Sequence, residues 1–340
     1  MIKPVVSSSQ ANFDTVYQLI MAAWGAQAVR TLASLSVAEQ LASGPRSAEQ
    51  IAELAASDPD MTYRVLRAGT ALGLLRYDAA EGVFSGTPML EVLHKDSPFC
   101  LKHYALAGLS ETFWLPALRL PDTVIRGENY ATETLGCSTF EYLSQHHEQA
   151  QIFGAAMTDL STPVIRDAVA AIDVADARLV ADVGGANGTF LAELLAAHPQ
   201  LTGVVLDRPA ALPGVEQEAR RHQLGDRMTG MAGDFFEEIP AADIHLLKFV
   251  LHDWNDDSCK RILRNVRRAM RPGARLMIVE MTVDQNQLTA ALMDVAMMFA
   301  FSGREREMGE FERLLQAADL KISCVTPLHP PYHLIEACAA

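Results

Sequence analysis

The chain has little cysteine, little positive charge and no long apolar run. Its five cysteines (Cys100, Cys137, Cys259, Cys324, Cys338) are odd in number and scattered over 340 residues. No C-x-x-C pair occurs, so neither a disulfide framework nor a zinc site is indicated, and no metal ligand is assigned. Lys and Arg number 28 against 42 Asp and Glu, a net charge of −14. That balance argues against a general binder of nucleic acid or anionic membrane. The apolar stretch Ala290–Phe301 is interrupted by Asp294 and is too short to span a bilayer. The first residues, MIKPVVSSSQANFD, hold no secretory apolar core, so a cytoplasmic protein with reduced thiols is expected. No repeat or low-complexity segment is visible.

What is present is a globular composition, 49% hydrophobic and 21% charged, long enough for about two domains. One segment organises the rest: LVADVGGANGTFLAELL, Leu179–Leu195. An apolar run carrying Asp182 leads into Gly184-Gly185-Ala186-Asn187-Gly188. Phe190, Leu191, Leu194 and Leu195 then recur at helical spacing. Strand, glycine-rich turn and helix open a nucleotide-binding α/β unit. Neither G-x-G-x-x-G nor a phosphate loop is present, and Asp182 before the turn would repel a pyrophosphate. A carboxylate there suits a cationic, hydroxyl-bearing ligand such as S-adenosylmethionine. An ordinary βα turn of an unrelated domain is the bland alternative.

Upstream, an apolar stripe predicts a helix over residues 12–35. Val16, Leu19, Ile20, Ala23, Trp24, Gln27, Ala28, Leu32 and Leu35 form a face wide enough to bury partly against a second chain. A short helix, Val37–Leu41, follows. Ser47 and Gln50 form a capping box for a helix through Ala55, and a third helix is expected over Met61–Leu74. Leu75–Tyr77 and Val83–Ser85 flank a hairpin turn. Helices plus hairpin outline a winged-helix shape. Up to Lys95, however, there are seven Lys/Arg against nine Asp/Glu, and the third helix offers only Arg64 and Arg67. A DNA reader shows a basic face, so a winged-helix regulator sensing S-adenosylmethionine is a minor alternative. Residues 96–170 read as helical with irregular links, over Phe99–Ala107, Trp114–Leu118 and Thr139–Met157, punctuated by Pro116, Pro121 and Pro163.

From about Arg178 the pattern alternates strand and helix, which predicts a mainly parallel sheet with helices on both faces. Expected strands end at Asp182, Asp207, Asp234, Lys248 and Glu280. A helix over 258–270 closes at Pro272-Gly273, further helices cover 290–301 and 308–318, and LKISCVTPL with HLIEACA form a terminal strand pair. Ligands of open α/β sheets bind outside the carboxyl ends of the strands. Asp207 can accept both ribose hydroxyls. Asp234 can take an adenine amine while Phe235 packs on the base. For each Asp alone, a helix cap is the competing explanation.

The motifs DVGGANG, LDRP, GDFF, KFVLHDWND, LRPGARLMIVEM and GREREMGEFERLL occur in that order. Together they resemble the S-adenosylmethionine-dependent O-methyltransferases that include plant caffeic-acid, acetylserotonin and bacterial antibiotic and phenazine enzymes. The resemblance spans nearly the whole chain. It implies an α/β fold: a winged-helix-like, dimerising N-terminal domain (1–95), a helical segment contributing to the substrate pocket (96–170), and a Rossmann-like class I methyltransferase domain (171–340). It implies S-adenosylmethionine as cofactor, a homodimer, and metal-independent methylation of a hydroxyl on a small aromatic molecule. Carried over by position, His252 matches the general base, and Glu280 and Glu305 the acids that hold it. Asp182, Gly184, Gly185, Asp207, Asp234, Phe235 and Lys248 match the cofactor contacts. Phe153, Met157, Asp253, Met293 and Met297, with Met298, fall where relatives contact the acceptor, although Met and Phe at helical spacing also suit a core. Trp114 and His103 are weaker acceptor candidates.

Two departures stand out. Ala186 replaces a glycine of the turn, which is tolerable if its φ is negative. Arg306-Glu307 replaces the more usual Arg-Thr. The chemistry needs a base, because a phenol of pKa ~10 is a poor nucleophile at neutral pH, and a neutral imidazole of pKa ~6.5 could take its proton. Some relatives decarboxylate or hydroxylate instead; His252 with both acids argues against that here. A metal-dependent enzyme using Asp253, Asp256 and Asp257 is a further alternative.

Overall fold

The first helix, α1 (Ser8–Ser34), starts earlier than its apolar stripe predicts, and the first half of that stripe stays in solvent while Leu32 joins the core. Phe13, Val16, Leu19, Ile20 and Trp24 are all more than half exposed. The computed structural model describes residues 8–284, 287–301 and 303–340. The expected absence of a leader therefore rests in part on residues 1–7, outside the described set. α2 (Val37–Leu41) and α3 (Ala48–Ala55) follow, and the Ser47–Gln50 capping box closes in both directions. α4 (Pro59–Ala71) begins two residues before the expected Met61. Asp58 caps it by accepting from the Met61 N–H at 2.9 Å, and Pro59 suits the first helical position. β1 (Leu75–Asp78) and β2 (Val83–Gly86) form the expected antiparallel hairpin.

The chain divides into two compact units. One runs to Trp114 and includes Leu143–Leu160; the other takes Leu115–Tyr142 and Ser161–Ala340. The 96–170 segment, read as one helical linker, is thus shared between both. The helix expected at Phe99 starts only at Lys102. The one expected over Thr139–Met157 is two helices, Thr139–Gln145 and His147–Ala171. Pro163, expected to punctuate, lies inside the second.

The larger unit holds a seven-stranded sheet: β3 (Leu179–Val183), β4 (Thr202–Asp207), β5 (Met228–Ala232), β6 (Ala242–Lys248), β7 (Met270–Met281), β8 (Leu320–Pro327) and β9 (Tyr332–Ala339). The order is β5-β4-β3-β6-β7-β9-β8. β3 to β7 are parallel, and the antiparallel β8–β9 pair covers one edge. Pro272-Gly273 does not close the preceding helix, which ends at Ala269; both lie within β7. Pairing with β6 slips there between Ala242 and Ile244, and such a bulge tolerates Pro and a positive-φ Gly. Val180, Val183, Leu246, Leu247, Met277 and Ile278 are fully buried, so the sheet is the rigid support for whatever lies at its carboxyl edge.

Candidate active site

Strand order changes direction between β3 and β6, which places the ligand crevice of such a sheet at their carboxyl ends. Asp182 is 1% exposed there, and its Oδ2 has no hydrogen-bond partner among the described residues. Burial raises its pKa, with Asp207 adding to the rise and Lys248 opposing it. The turn after β3 lies against this carboxyl. A Cβ on Gly185 would overlap it, and Gly184, at φ 70°, would set a Cβ 3.1 Å from Val250. Ala186 does not meet the condition set for it, because its φ is 51°. A left-handed alanine is strained, and the strain is held by its N–H, which donates to Asp207 Oδ2 at 2.8 Å. Asp207 Oδ1 accepts from the Arg208 N–H at 2.6 Å. Asp207 therefore supports the turn as well as facing the crevice.

Asp234 lies two residues beyond the end of β5, not at it, and is exposed. It accepts from the Phe236 N–H at 2.8 Å, a local capping role. Phe235 is half-buried, edge-on to Trp254 at 6.0 Å. Lys248 ends β6 with its ammonium 4.2 Å over the Phe249 ring. Burial lowers its pKa, while Asp182 and Glu280 counteract. An acidic crevice with an unpartnered buried oxygen and a turn in which added Cβ atoms would collide fits a cationic, hydroxyl-bearing ligand.

His252 lies in a single turn of 3-10 helix, Leu251–Asp253, just past β6. Its Nδ1 is 2.9 Å from Glu305 Oε1, and its Nε2 is 3.5 Å from Asp253 Oδ1. Glu280, fully buried, lies within ion-pair distance of the ring as the resemblance implied, and it also braces the turn beneath it. Its Oε2 is 3.8 Å from Nδ1, while its Oε1 accepts from the backbone N–H groups of Val250 at 3.0 Å, Leu251 at 2.8 Å and His252 at 3.4 Å. Glu305 orients the ring; Glu280 fixes the turn that carries it. Burial disfavours the charged ring, yet Glu280, Asp253 and Glu305 outweigh it and push the pKa of His252 up to about 10. The three acids therefore favour the imidazolium more than an ordinary imidazole's surroundings do. Burial also pushes Asp253 up to about 6, with His252 opposing.

Several supporting residues carry no signal in the charge pattern. Phe249 has φ 56°, rare for an aromatic residue, where the chain leaves β6. Arg306 is 1% exposed and donates to the Leu251 and Trp254 carbonyls and to Asp256, bracketing His252 on both sides. The GREREMGEFERLL motif flagged this segment for Glu305, but gave Arg306 no role beyond its departure from the usual Arg-Thr. Gly303 lies so close to the His252 carbonyl that a Cβ would overlap it, and Arg304 N–H donates to that carbonyl at 2.8 Å. Asp294 Oδ1 accepts from the Glu305 N–H at 2.9 Å. Of the acids named for a metal-dependent enzyme, Asp253 lies beside His252, Asp256 pairs with Arg306, and Asp257 with Lys260.

The predicted acceptor residues are divided between the two units. Met297 is 2% exposed, so packing accounts for it, and Met293 is half-buried against the sheet core. Phe153 and Met157 belong to the smaller unit, where Phe153 stacks on Phe113 at 5.7 Å. Phe113 and Phe153 border a cavity of about 700 Å³ there, with Arg30, Lys102 and Gln149.

Comparison with known proteins decides the identity of this arrangement. Residues 118–321 match the model of the O-methyltransferase domain, and residues 17–96 that of the O-methyltransferase dimerisation domain. The chain belongs to the O-methyltransferase family. It is 30% identical to the mitomycin biosynthesis 6-O-methyltransferase of Streptomyces lavendulae, over 95% of this chain and 93% of that protein. The solved structure of the mitomycin 7-O-methyltransferase matches with a TM-score of 0.90 at 29% identity, covering 98% of this chain and 99% of that one. An O-methyltransferase of neocarzinostatin biosynthesis, solved with S-adenosylhomocysteine and 1,4-dihydroxy-2-naphthoic acid, matches with a TM-score of 0.79 at 30% identity, covering 93% and 96%. Methyl transfer from S-adenosylmethionine is the family's reaction. Among the described residues, no helix is long and apolar enough to cross a membrane.

Proposed function

We infer that the enzyme methylates a hydroxyl of a small aromatic natural product, uses His252 as general base without a metal, and works as a homodimer. The observation that carries this reading is the His252 ring, locked through Nδ1 by Glu305 at 2.9 Å, beside the acidic crevice of a family methyltransferase domain. The neocarzinostatin relative was solved with 1,4-dihydroxy-2-naphthoic acid bound, in keeping with a flat phenolic acceptor.

S-adenosylmethionine supplies an electrophilic methyl group. Asp182, Asp207, Asp234 and Lys248, with the Gly184-Gly185 turn, would hold it. Neutral His252 takes the phenolic proton at Nε2 while Glu305 fixes the other ring nitrogen and stabilises the cation that forms. A base pKa of about 10 matches that of a phenol, so transfer between them is nearly balanced. The cost is that only a minority of molecules carry the neutral ring at pH 7.

The test is a screen of dihydroxynaphthoates, hydroxyphenazines and aminohydroxybenzoates, scored for the mass of one added methyl. His252→Gln should lower turnover by about 10²–10⁴-fold with donor affinity retained, and wild-type activity should survive EDTA. Unchanged turnover in His252→Gln removes the base assignment, and loss in EDTA restored by magnesium removes metal independence.

A further inference from the structure

The smaller unit carries a second cluster of chemically active side chains. Cys100 is 6% exposed and lies just before the helix Lys102–Gly108, whose second residue is His103. Asp159 reaches them from the helix His147–Ala171. One ligand atom from each lies within 4.8 Å of the other two. His103 Nδ1 is 2.9 Å from Asp159 Oδ2, the oxygen that also accepts from the His103 backbone N–H at 3.4 Å.

The buried sulfur of Cys100, the half-buried imidazole of His103 and the Asp159 carboxylate converge on one another, with His103 and Asp159 already in hydrogen-bond contact. A divalent cation among the three groups would take the place of the protons that now lie between them. Lys102 leaves the space clear, since its ammonium is engaged by Glu39 and Ser36.

We propose that Cys100, His103 and Asp159 form a binding site for a borderline-soft divalent cation of the zinc type. The donors are one sulfur, one imidazole nitrogen and one carboxylate oxygen, which select zinc or cobalt over magnesium or calcium. Metal–ligand lengths of ~2.0–2.3 Å set tetrahedral ligands roughly 3.3–3.7 Å apart, so the 2.9 Å His103–Asp159 contact must open by a few tenths of an ångström. On binding, the Cys100 thiol releases its proton to solvent, and His103 ligates as the neutral ring with its proton on Nε2. The fourth position stays open to water. The His103 side chain is 31% exposed, which gives a path in. The ion would tie the helix Lys102–Gly108 to the helix bearing Phe153 and Met157. A search for C-x-x-C misses the site because its local pair is C-x-x-H and the third ligand is 56 residues further on.

Cobalt(II) titration of the chelator-treated, full-length protein tests this. One equivalent should produce a thiolate-to-cobalt charge-transfer band that zinc abolishes. Cys100→Ser should eliminate the band, and His103→Ala should weaken cobalt binding more than about 100-fold, beyond the loss expected for an outer partner of a ligand. Cys324→Ser, at an exposed cysteine, should leave it intact. His252, Glu280 and Glu305 also cluster closely but offer no sulfur, so cobalt bound there gives no such band. A missing band, or one that persists in Cys100→Ser, overturns the proposal. If Cys100→Ser fails to fold, the His103→Ala variant, at a half-buried position, decides the matter by the same affinity measurement.

Discussion

His252 is surrounded by Glu280, Asp253 and Glu305, and this sets the pH behaviour. A raised folded pKa means the charged ring contributes stability fully below pH ~6.5 and loses that contribution as pH climbs through about 10. Catalysis has the opposite sign, since the neutral ring does the work. The ratio kcat/KM should rise about tenfold per pH unit from pH 7 toward about 10, and this limb should vanish in His252→Gln. A plateau reached by pH 7.5 would contradict it. Ala186 offers a second test at this scale. Its left-handed backbone costs about 1 kcal/mol that a glycine would not incur, so Ala186→Gly should raise the unfolding free energy by about that amount in urea titration. That Asp182, Lys248, His252 and Glu280 gather at the carboxyl edge of the sheet was legible, because charged residues at strand ends are visible in one dimension. Their roles were not. Nothing in the sequence says that Glu280 spends its oxygen on three backbone N–H groups, or that φ at Ala186 is positive.

At the scale of elements, the site depends on two segments that meet, one leaving the sheet and one linking two helices. The turn after β6 carries His252, and the stretch Gly303–Arg306 runs against it. Gly303 has no room for a side chain. Gly303→Ala should therefore reduce kcat by more than tenfold, as expected when a reacting group is displaced by about 1 Å, with little change in donor affinity measured by calorimetry. Wild-type turnover in that variant would disprove the close approach. Strand and helix periodicities predicted the β3–β9 elements well, because buried apolar runs and capping residues act locally. They failed where tertiary contacts decide. Pro272-Gly273 looks like a helix stop but is absorbed by a bulge, and Pro163 is carried inside a long helix.

For the molecule as a whole, the apolar face of α1 and the match of residues 17–96 to a dimerisation domain point the same way. Exposed aromatic and aliphatic side chains in such number mark an interface. Trp24→Lys combined with Leu19→Lys should shift the protein from dimer to monomer in light scattering, and a mass unchanged from wild type would argue against this face. The sequence foresaw two folded parts, but not that the 115–142 and 143–160 segments go to different units, since interleaving leaves no trace in composition.

Glu280 belongs to β7, yet the backbone it holds continues from β6, so the two strands must be aligned residue for residue before the base can be presented. Sheet pairing has a period of two, and a slip of one position would turn that carboxylate to the opposite face. An assembly error in the middle of the sheet thus produces a silent enzyme rather than a careless one.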